Sequence, residues 1–140
     1  MYYAVIDINV LISALLSRPG HDSAPSRVVN YIFQGELITI YNNDILEEYE
    51  DVLNREKFNF DPGQVENLIL QIKSSGLHED AFKSDEVYPD PDDAVFFEVA
   101  LSHYQSNDNT YLVTGNIKYF PAKIFVINPR QMVEIIENMY

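Results

Sequence analysis

The chain contains no cysteine, and this absence excludes disulfide bridges, thiolate catalysis and zinc sites built on cysteine. Any bound metal must therefore be held by oxygen or imidazole ligands. The three histidines show no paired spacing, which argues against a zinc site as well. Glycine is scarce, at five residues, and none of these residues forms a phosphate-cradling loop, so the sequence gives no sign of a nucleotide-binding motif.

Long apolar runs are also missing, since no stretch approaches the ~20 residues of a membrane-spanning helix. The N-terminus lacks a basic region followed by an apolar stretch and a cleavage site. We therefore expect a cytoplasmic protein without membrane contact. The length of 140 residues and the apolar content of 46% predict a single folded domain over residues 1–140.

Basic residues are few, because nine Lys and Arg stand against 22 Asp and Glu and leave a formal net charge of −13. Such a charge repels nucleic-acid phosphate and argues against a general nucleic-acid-binding protein. It is compatible with an enzyme that contacts a phosphodiester transiently, and it favours a basic protein partner. Acidity alone is most simply explained as solvated surface, so only acids at particular positions can indicate a site.

The hydrophobic pattern alternates between strand-like and helix-like segments. Apolar runs without alternation predict strands buried in a parallel sheet, at residues 2–6, 37–41, 111–114 and 123–127. Helical spacing and capping residues predict helices that begin at Asn9, Ser26, Asp44 (a capping box with Glu47), Asp61 and Asp90, and a last helix over 132–139. Residues 21–25 are predicted as a loop, and residues 77–88 as either a short strand near 86–88 or an extended linker. This order predicts an α/β fold, a three-layer α/β/α sandwich with a central, mostly parallel sheet.

Polar side chains follow two of the predicted strands, where ligands bind in open parallel sheets. Asp7 follows the first strand and Asn116 the third, and they converge if those strands are neighbours. Glu48 borders the apolar stripe of its helix, and Asp93 lies in an acidic first helical turn. Three carboxylates crowded together raise each other's pKa, and a divalent cation such as Mg²⁺ or Mn²⁺ relieves the repulsion. The conjunction predicts an acidic metal site.

Each of these residues also has a simpler interpretation. Asp7 suits a turn or a helix cap, and Glu48 suits an ordinary exposed helix position. Asp92 or Asp93 can cap the helix that they open, and Asn116 after a glycine is typical of a turn. Only their combination in one chain favours a functional site.

Four segments of the chain carry this combination: residues 7–14 (Asp-Ile-Asn-Val-Leu-Ile-Ser-Ala), 45–53, 90–100 and 114–120. In this order they resemble the acidic blocks of the PIN domain family, specifically the toxins of VapBC-like type II toxin–antitoxin systems. The resemblance covers nearly the whole chain. It implies an Mg²⁺- or Mn²⁺-dependent endoribonuclease that hydrolyses RNA, is restrained by a cognate antitoxin protein, and forms a homodimer or a larger homo-oligomer.

The same resemblance implies roles for individual residues. Asp7, Glu48 and Asp93 match the metal ligands of the family, and Asn116 completes the catalytic set. Residues expected to orient water or the ligands are Asn9, Asp92 and Thr114. Residues considered for phosphate contact are Arg18, Lys57 and Lys118, for which solvated surface charge is the simpler interpretation.

Two positions depart from the family pattern. Ile8 replaces a threonine, which removes a hydroxyl beside the site, and Asn116 replaces the fourth acid, which removes a charge and should lower metal affinity. These departures leave open a second hypothesis, a catalytically weakened PIN-fold module that binds a partner protein or RNA. A third hypothesis is a phosphotransfer receiver or an aspartyl phosphatase. A receiver needs an acidic pair before the phosphorylated aspartate, and this chain has no such pair before Asp7. The phosphatase needs a second aspartate at position 9, where this chain has Asn9.

Overall fold

The computed structural model describes residues 1–17, 22–81 and 83–138. Except for the last two strands, which are joined through a short 3-10 turn, successive strands are separated by one or two helices along the described chain. Its strands and helices are β1 (Tyr2–Ile6), α1 (Ile8–Leu16), α2 (Ala24–Gln34), β2 (Leu37–Tyr41), α3 (Asn43–Leu53), α4 (Pro62–Ser75), β3 (Leu77–His78), α5 (Ala94–Tyr104), β4 (Thr110–Val113), β5 (Val126–Ile127) and α6 (Pro129–Glu137). Short 3-10 turns cover Glu56–Phe58, Pro91–Asp93 and Ile117–Tyr119.

The strands form one sheet in the order β3-β2-β1-β4-β5, and every described pair is parallel. Helices flank the sheet on both faces, so the predicted three-layer α/β/α architecture is confirmed. β1 lies in the centre and pairs with β4 from Tyr3 opposite Thr110 to Ile6 opposite Val113. The carboxyl ends of β1 and β4 are therefore neighbours, which is the condition that the sequence argument required.

The central strand β1 is buried in the hydrophobic core as far as its carboxyl end. Ala4, Val5 and Ile6 are fully buried, as a strand covered on both faces requires. The hydroxyl of Tyr49 on α3 donates a hydrogen bond to the carbonyl of Ile6, the last residue of β1. This contact fixes α3 against the end of the strand from which the site begins. α5 buries Phe96, Phe97, Val99 and Ala100.

The predicted cap of α1 was wrong. The helix begins at Ile8, Asp7 occupies the cap position, and Asn9 lies within the first turn. The Asp7 carboxylate makes no capping bond, because it is engaged by side chains on two other segments.

Two further helix starts also lie earlier than predicted. α2 is capped by Ser23 rather than Ser26, since the Ser23 hydroxyl accepts a hydrogen bond from the Ser26 amide. Ala24 and Pro25 therefore belong to the helix, where proline suits the first turn, and are wrongly placed in a loop by the sequence. α3 is capped by Asn42 rather than Asp44, because the Asn42 side chain accepts from the amide of Ile45.

The later elements show the same shifts of boundary. α6 begins at Pro129 behind an Asn128 capping box, three residues before the predicted start. β4 begins and ends one residue earlier than predicted, and β5 contains only the last two of the five predicted strand residues. His21 and Met139, which bound the predicted loop and last helix, lie outside the described residues.

No strand forms near residues 86–88; the edge strand is β3, directly after α4. Gly76 makes this tight junction possible, because a Cβ there would collide with the Ile72 carbonyl oxygen and lie 2.7 Å from the Thr39 carbonyl oxygen. The predicted bounds of α4, from Asp61-Pro62 to Gly76, are confirmed. Within the described part of the chain, no helix is long and apolar enough to cross a bilayer.

Candidate metal centre

Asp7 is a buried carboxylate at the carboxyl end of β1. Its side chain is 6% exposed, and its backbone amide donates to the carbonyl of Val113 on the neighbouring strand. One carboxylate oxygen, Oδ2, accepts hydrogen bonds from the Thr114 hydroxyl at 2.7 Å and the Asn9 amide at 3.0 Å. Burial raises the pKa of Asp7, while the bonds from Thr114, the Ile8 backbone and Asn9 oppose that rise. The structure thus holds this carboxylate in one orientation.

The two donors to Asp7 are themselves fixed by the loop after β4. Thr114 Oγ1 accepts from the Asn116 amide at 3.0 Å, and Asn9 Oδ1 accepts from the Gly115 amide at 3.1 Å. The start of α1 and the loop after β4 are therefore tied together around Asp7. This arrangement agrees with the supporting positions expected for Asn9 and Thr114.

Glu48 approaches Asp7 from α3. Its side chain is partly buried, and burial raises its pKa to about 7, with further contributions from the charges of Asp7, Asp93 and Asp92. Arg55, on the turn after α3, opposes this rise and also pairs with Asp51 at 3.0 Å. The neighbouring Glu47 is exposed, as its position opposite the apolar stripe predicted.

Asp93 approaches from the turn that precedes α5. Burial raises its pKa to about 6, and the charges of Asp7, Asp90 and Asp92 add to this rise. The residue that caps this acidic turn is Asp90, whose carboxylate accepts a hydrogen bond from the backbone amide of Asp92 at 3.0 Å. Asp93 makes no side-chain capping bond, and Asp92 is exposed. Asp93 is consequently free to face the other two carboxylates.

Asp7, Glu48 and Asp93 thus lie within electrostatic reach of one another although they come from distant parts of the sequence. Oxygen donors of this kind and charge fit a hard divalent cation, which would relieve the repulsion among them. Their spacing is wider than coordination requires: among the residues described, no group of three or more His, Asp or Glu side chains is placed to hold an ion. Of the three, Asp7 is rigid, whereas Glu48 and Asp93 are only partly buried.

The remaining predicted site residues are less closely involved. Asn116 is exposed, and its contact with the network is made by its backbone amide. Lys118 is exposed, with Nζ 5.5 Å from the centre of the Tyr119 ring, and Lys57 is exposed, with Nζ 5.0 Å from the Phe58 ring. Arg18 lies outside the described residues.

Sequence reasoning missed the role of Tyr49 and Arg55 in this region. A buried tyrosine hydroxyl needs a hydrogen-bond partner, and here Tyr49 donates to the carbonyl of Ile6, at the end of the strand beside Asp7. Burial raises the pKa of this hydroxyl well above its ordinary value, so it remains a donor. The sequence does not indicate a role for Arg55, because its effect on the pKa of Glu48 depends on where α3 ends.

Two hollows flank the carboxylates and differ in lining. A cleft of about 230 Å³ lies beside the start of α1 and the loop after β4, with Asn9, Ser13 and Asn116 in its wall. A shallow hollow of about 380 Å³ on α3 is lined by Asp44, Glu47, Glu48 and Asp51. Other hollows lie between α3 and α4 and along α1, α2 and α4, but none of the three carboxylates lines them.

A parallel α/β/α sheet with carboxylates grouped at the ends of its central strands defines the class of this protein, a three-layer sandwich with an acidic site at the sheet edge. In agreement with this class, the family model described as PIN domain matches residues 3–118, which run from the second residue of β1 to the second residue of the turn Ile117–Tyr119. The chain therefore belongs to the PIN domain family, whose members are generally nucleases and commonly metal-dependent ribonucleases. Comparison with curated proteins and with solved structures found no match.

Proposed function

We propose that this protein is a Mg²⁺- or Mn²⁺-dependent endoribonuclease that hydrolyses RNA phosphodiester bonds. The observation that carries the proposal is the raised pKa of all three of Asp7, Glu48 and Asp93 at one edge of the sheet, where the charge of Asp7 adds to the rise at the other two. A cluster of like charges is costly to a fold, and such clusters are concentrated at functional sites. Membership of the PIN domain family, whose members are generally nucleases, also supports this function.

Asp7, Glu48 and Asp93 would hold the cation. Thr114 and Asn9 keep the Asp7 carboxylate in a fixed orientation, and the partly exposed side chains of Glu48 and Asp93 can turn toward it. When bound, a divalent cation neutralises phosphate charge and activates water for attack on phosphorus. In this proposal the Asn116 amide orients water or the scissile phosphate, and Asp92 supports the field around the ligands.

Lys118 is our first choice for a contact with the RNA backbone. It is exposed and lies two residues after Asn116, on the turn that begins at the site. Lys57 lies on the turn after α3 and is a weaker candidate, because the α3 surface between it and the site carries several acids. Arg18, outside the described residues, stays a predicted candidate for phosphate contact.

We further propose that the ribonuclease is the toxin of a toxin–antitoxin pair and acts in the cytoplasm. A net charge of −13 favours a cognate antitoxin with a basic binding segment. We also propose a homodimer or larger homo-oligomer. Native mass spectrometry of the chain expressed alone, and together with the protein encoded beside it, would test both assemblies; a monomer that binds no neighbour would contradict them.

A second candidate is a weakened PIN-fold module that binds a partner protein or RNA without efficient chemistry. The observation that favours it is the spacing of the acids, since the described residues contain no group of three placed to hold an ion. Asn116 contributes no charge where the family has its fourth acid. On this reading the protein would bind RNA and leave it intact.

The test is cleavage of an end-labelled single-stranded RNA by the purified full chain in Mn²⁺, in Mg²⁺ and in EDTA. We expect cleavage only with metal, and a loss of more than about 100-fold in Asp7→Asn and Glu48→Gln, beyond the usual effect of removing a residue that merely supports a ligand. Glu47→Gln is the matched control, since it removes the same charge from the next residue of α3, and it should cleave normally. RNA binding without any cleavage would favour the second candidate.

A further inference from the structure

The two sides of the carboxylate site differ sharply in charge. On the α3 side, the shallow hollow described above is lined by four carboxylates, Asp44, Glu47, Glu48 and Asp51; we call it the acidic hollow. On the other side, the cleft of about 230 Å³ has no ionisable side chain among the described residues that line it; we call it the neutral cleft. A polyanion that reaches the site meets strong repulsion over the acidic hollow and none from the lining of the neutral cleft.

The neutral cleft offers hydrogen-bonding groups on a firm frame. Within the described residues, the Ser13 hydroxyl and the Asn116 side-chain amide make no hydrogen bond and are exposed to the cleft or to solvent. Pro25 and Pro129 supply rigid apolar wall. The cleft is smaller than the ~300–1,000 Å³ pockets of drug-sized ligands, so it holds at most about one nucleotide unit.

An aromatic platform lies one turn beyond the cleft. The backbone carbonyl of Asn116 accepts a hydrogen bond from the backbone amide of Tyr119 at 3.0 Å, which closes the 3-10 turn Ile117–Tyr119. At the rise of a 3-10 helix, this turn separates Tyr119 from the cleft wall by about 6 Å along the turn axis. Phe120 is buried and anchors this turn, whereas the Tyr119 side chain is 42% exposed. Lys118 lies with Nζ 5.5 Å from the Tyr119 ring centre. An exposed aromatic ring beside a cation is the pairing that single-stranded nucleic acids bind through base stacking and phosphate contact.

Taking the ribonuclease function proposed above as its basis, we propose that the RNA strand crosses the site on the side of the neutral cleft, with one nucleotide against Ser13 and Asn116 and a neighbouring base stacked on Tyr119. The substrate is therefore single-stranded at this point, because a base that stacks on protein must leave its own helix. The acidic hollow acts as a barrier that prevents the strand from lying across α3.

Binding of a short fluorescein-labelled single-stranded RNA to the full chain, measured by anisotropy in EDTA so that the RNA stays intact, tests the path. Ser13→Asp should weaken binding by about tenfold or more, and Ser13→Lys should tighten it, because the strand passes over this position. Tyr119→Ala should weaken binding by about tenfold, the effect of losing one stacked base. A duplex of the same sequence should bind less tightly than the single strand.

Two matched controls separate the path from general effects. Asn109→Asp and Asn109→Lys introduce the same charges at an exposed residue beside the amino end of β1, at the opposite edge of the sheet. Phe33→Ala removes a ring that is 41% exposed on α2, almost equal to Tyr119. All three should change the dissociation constant by less than about twofold, which is small beside the loss of a stacked base.

The outcomes also distinguish this inference from the proposed function. If the wild-type chain cleaves RNA with metal but the Ser13 and Tyr119 variants bind like their controls, the path is wrong and the ribonuclease stands. If the wild-type chain neither binds nor cleaves RNA, the ribonuclease proposal fails and the path fails with it. Tighter binding by Ser13→Lys would support the path even if another variant folded poorly.

Discussion

Removing the charge of Glu48 should stabilise the metal-free protein at neutral pH. Glu48 has an ordinary pKa of 4.5 and a pKa of about 7 in the fold, raised by burial and by the neighbouring carboxylates. The folded chain therefore holds a proton on this group more tightly than the unfolded chain does. The associated stability is fully present below pH 4.5 and is lost as the pH rises through about 7.

The magnitude follows from the difference between these two pKa values. At 1.36 kcal/mol per pKa unit it corresponds to roughly 3 kcal/mol. Because the Glu48 side chain is partly exposed, solvent screening reduces this figure, and we expect about 1 kcal/mol. For a chain of this length, that free energy corresponds to a change in melting temperature of about 3 °C.

Urea unfolding in EDTA at pH 4.5 and pH 7.5 would measure the effect on the wild type, Glu48→Gln and Glu47→Gln. Glu48→Gln should match the wild type at pH 4.5 and exceed it by about 1 kcal/mol at pH 7.5. Glu47→Gln changes the net charge equally at an exposed position, so it should track the wild type at both values. If the two variants have the same stability at pH 7.5, the charge cluster does not exist as described.

Three other changes probe the same region. Thr114→Val removes a hydroxyl that donates to the buried Asp7 carboxylate, and urea unfolding at pH 7 should show a loss of about 2 kcal/mol, the usual size for a hydrogen bond to a charged group. Tyr49→Phe leaves the Ile6 carbonyl without its donor and should cost about 1–2 kcal/mol in the same assay. Asn116→Asp adds a fourth carboxylate and should tighten Mn²⁺ binding several-fold by calorimetry while lowering stability in EDTA.

Each of these changes has a control elsewhere in the fold. Thr110→Val removes a buried hydroxyl that donates to the neutral carbonyl of Asn107, so its cost should be smaller and should not depend on pH near 4 to 7. Tyr31→Phe removes a hydroxyl whose partner, Glu137, is at the surface, and should cost little. Asn109→Asp should leave Mn²⁺ binding unchanged. Equal effects in a variant and its control would show that the site geometry is not responsible.

Much of the fold could be predicted from local pattern. β1 was recognisable because a strand covered on both faces has an unbroken apolar run, and α4 because Asp61-Pro62 and Gly76 mark its ends. Helix starts were less accurate, since several capping residues stand close together and the choice depends on other contacts. Asp7 makes no capping bond because distant Thr114 holds its carboxylate. β3 has only two residues and is defined by its pairing with β2.

The candidate site, like the fold, could be predicted from the sequence only in part. The positions of Asp7 after β1 and Asp93 before α5 could be predicted, because topology alone brings those ends to one edge of the sheet. Glu48 lies in the middle of α3, and its position beside the apolar stripe of that helix indicated that it faces the sheet. Their burial, the orientation of Asp7 and the neutral lining beside Ser13 depend on how loops pack. The spacing of apolar residues along the sequence does not predict such contacts. The assignment of these residues as metal ligands remains a prediction that the cleavage and binding experiments address.

The resemblance to the family implies a fourth acid at the position of Asn116, and the neighbouring charges give a physical reason for an amide there. The charge of Asp7 already raises the pKa of both Glu48 and Asp93, and the cost falls on the folded state whenever no cation is present. A fourth charge beside them would increase this cost and the attraction for a cation together. An amide avoids the repulsion and keeps an oxygen at the same position. A chain with Asn116 should therefore depend less on metal for its stability and need a higher metal concentration for activity, because both effects follow from the same missing charge.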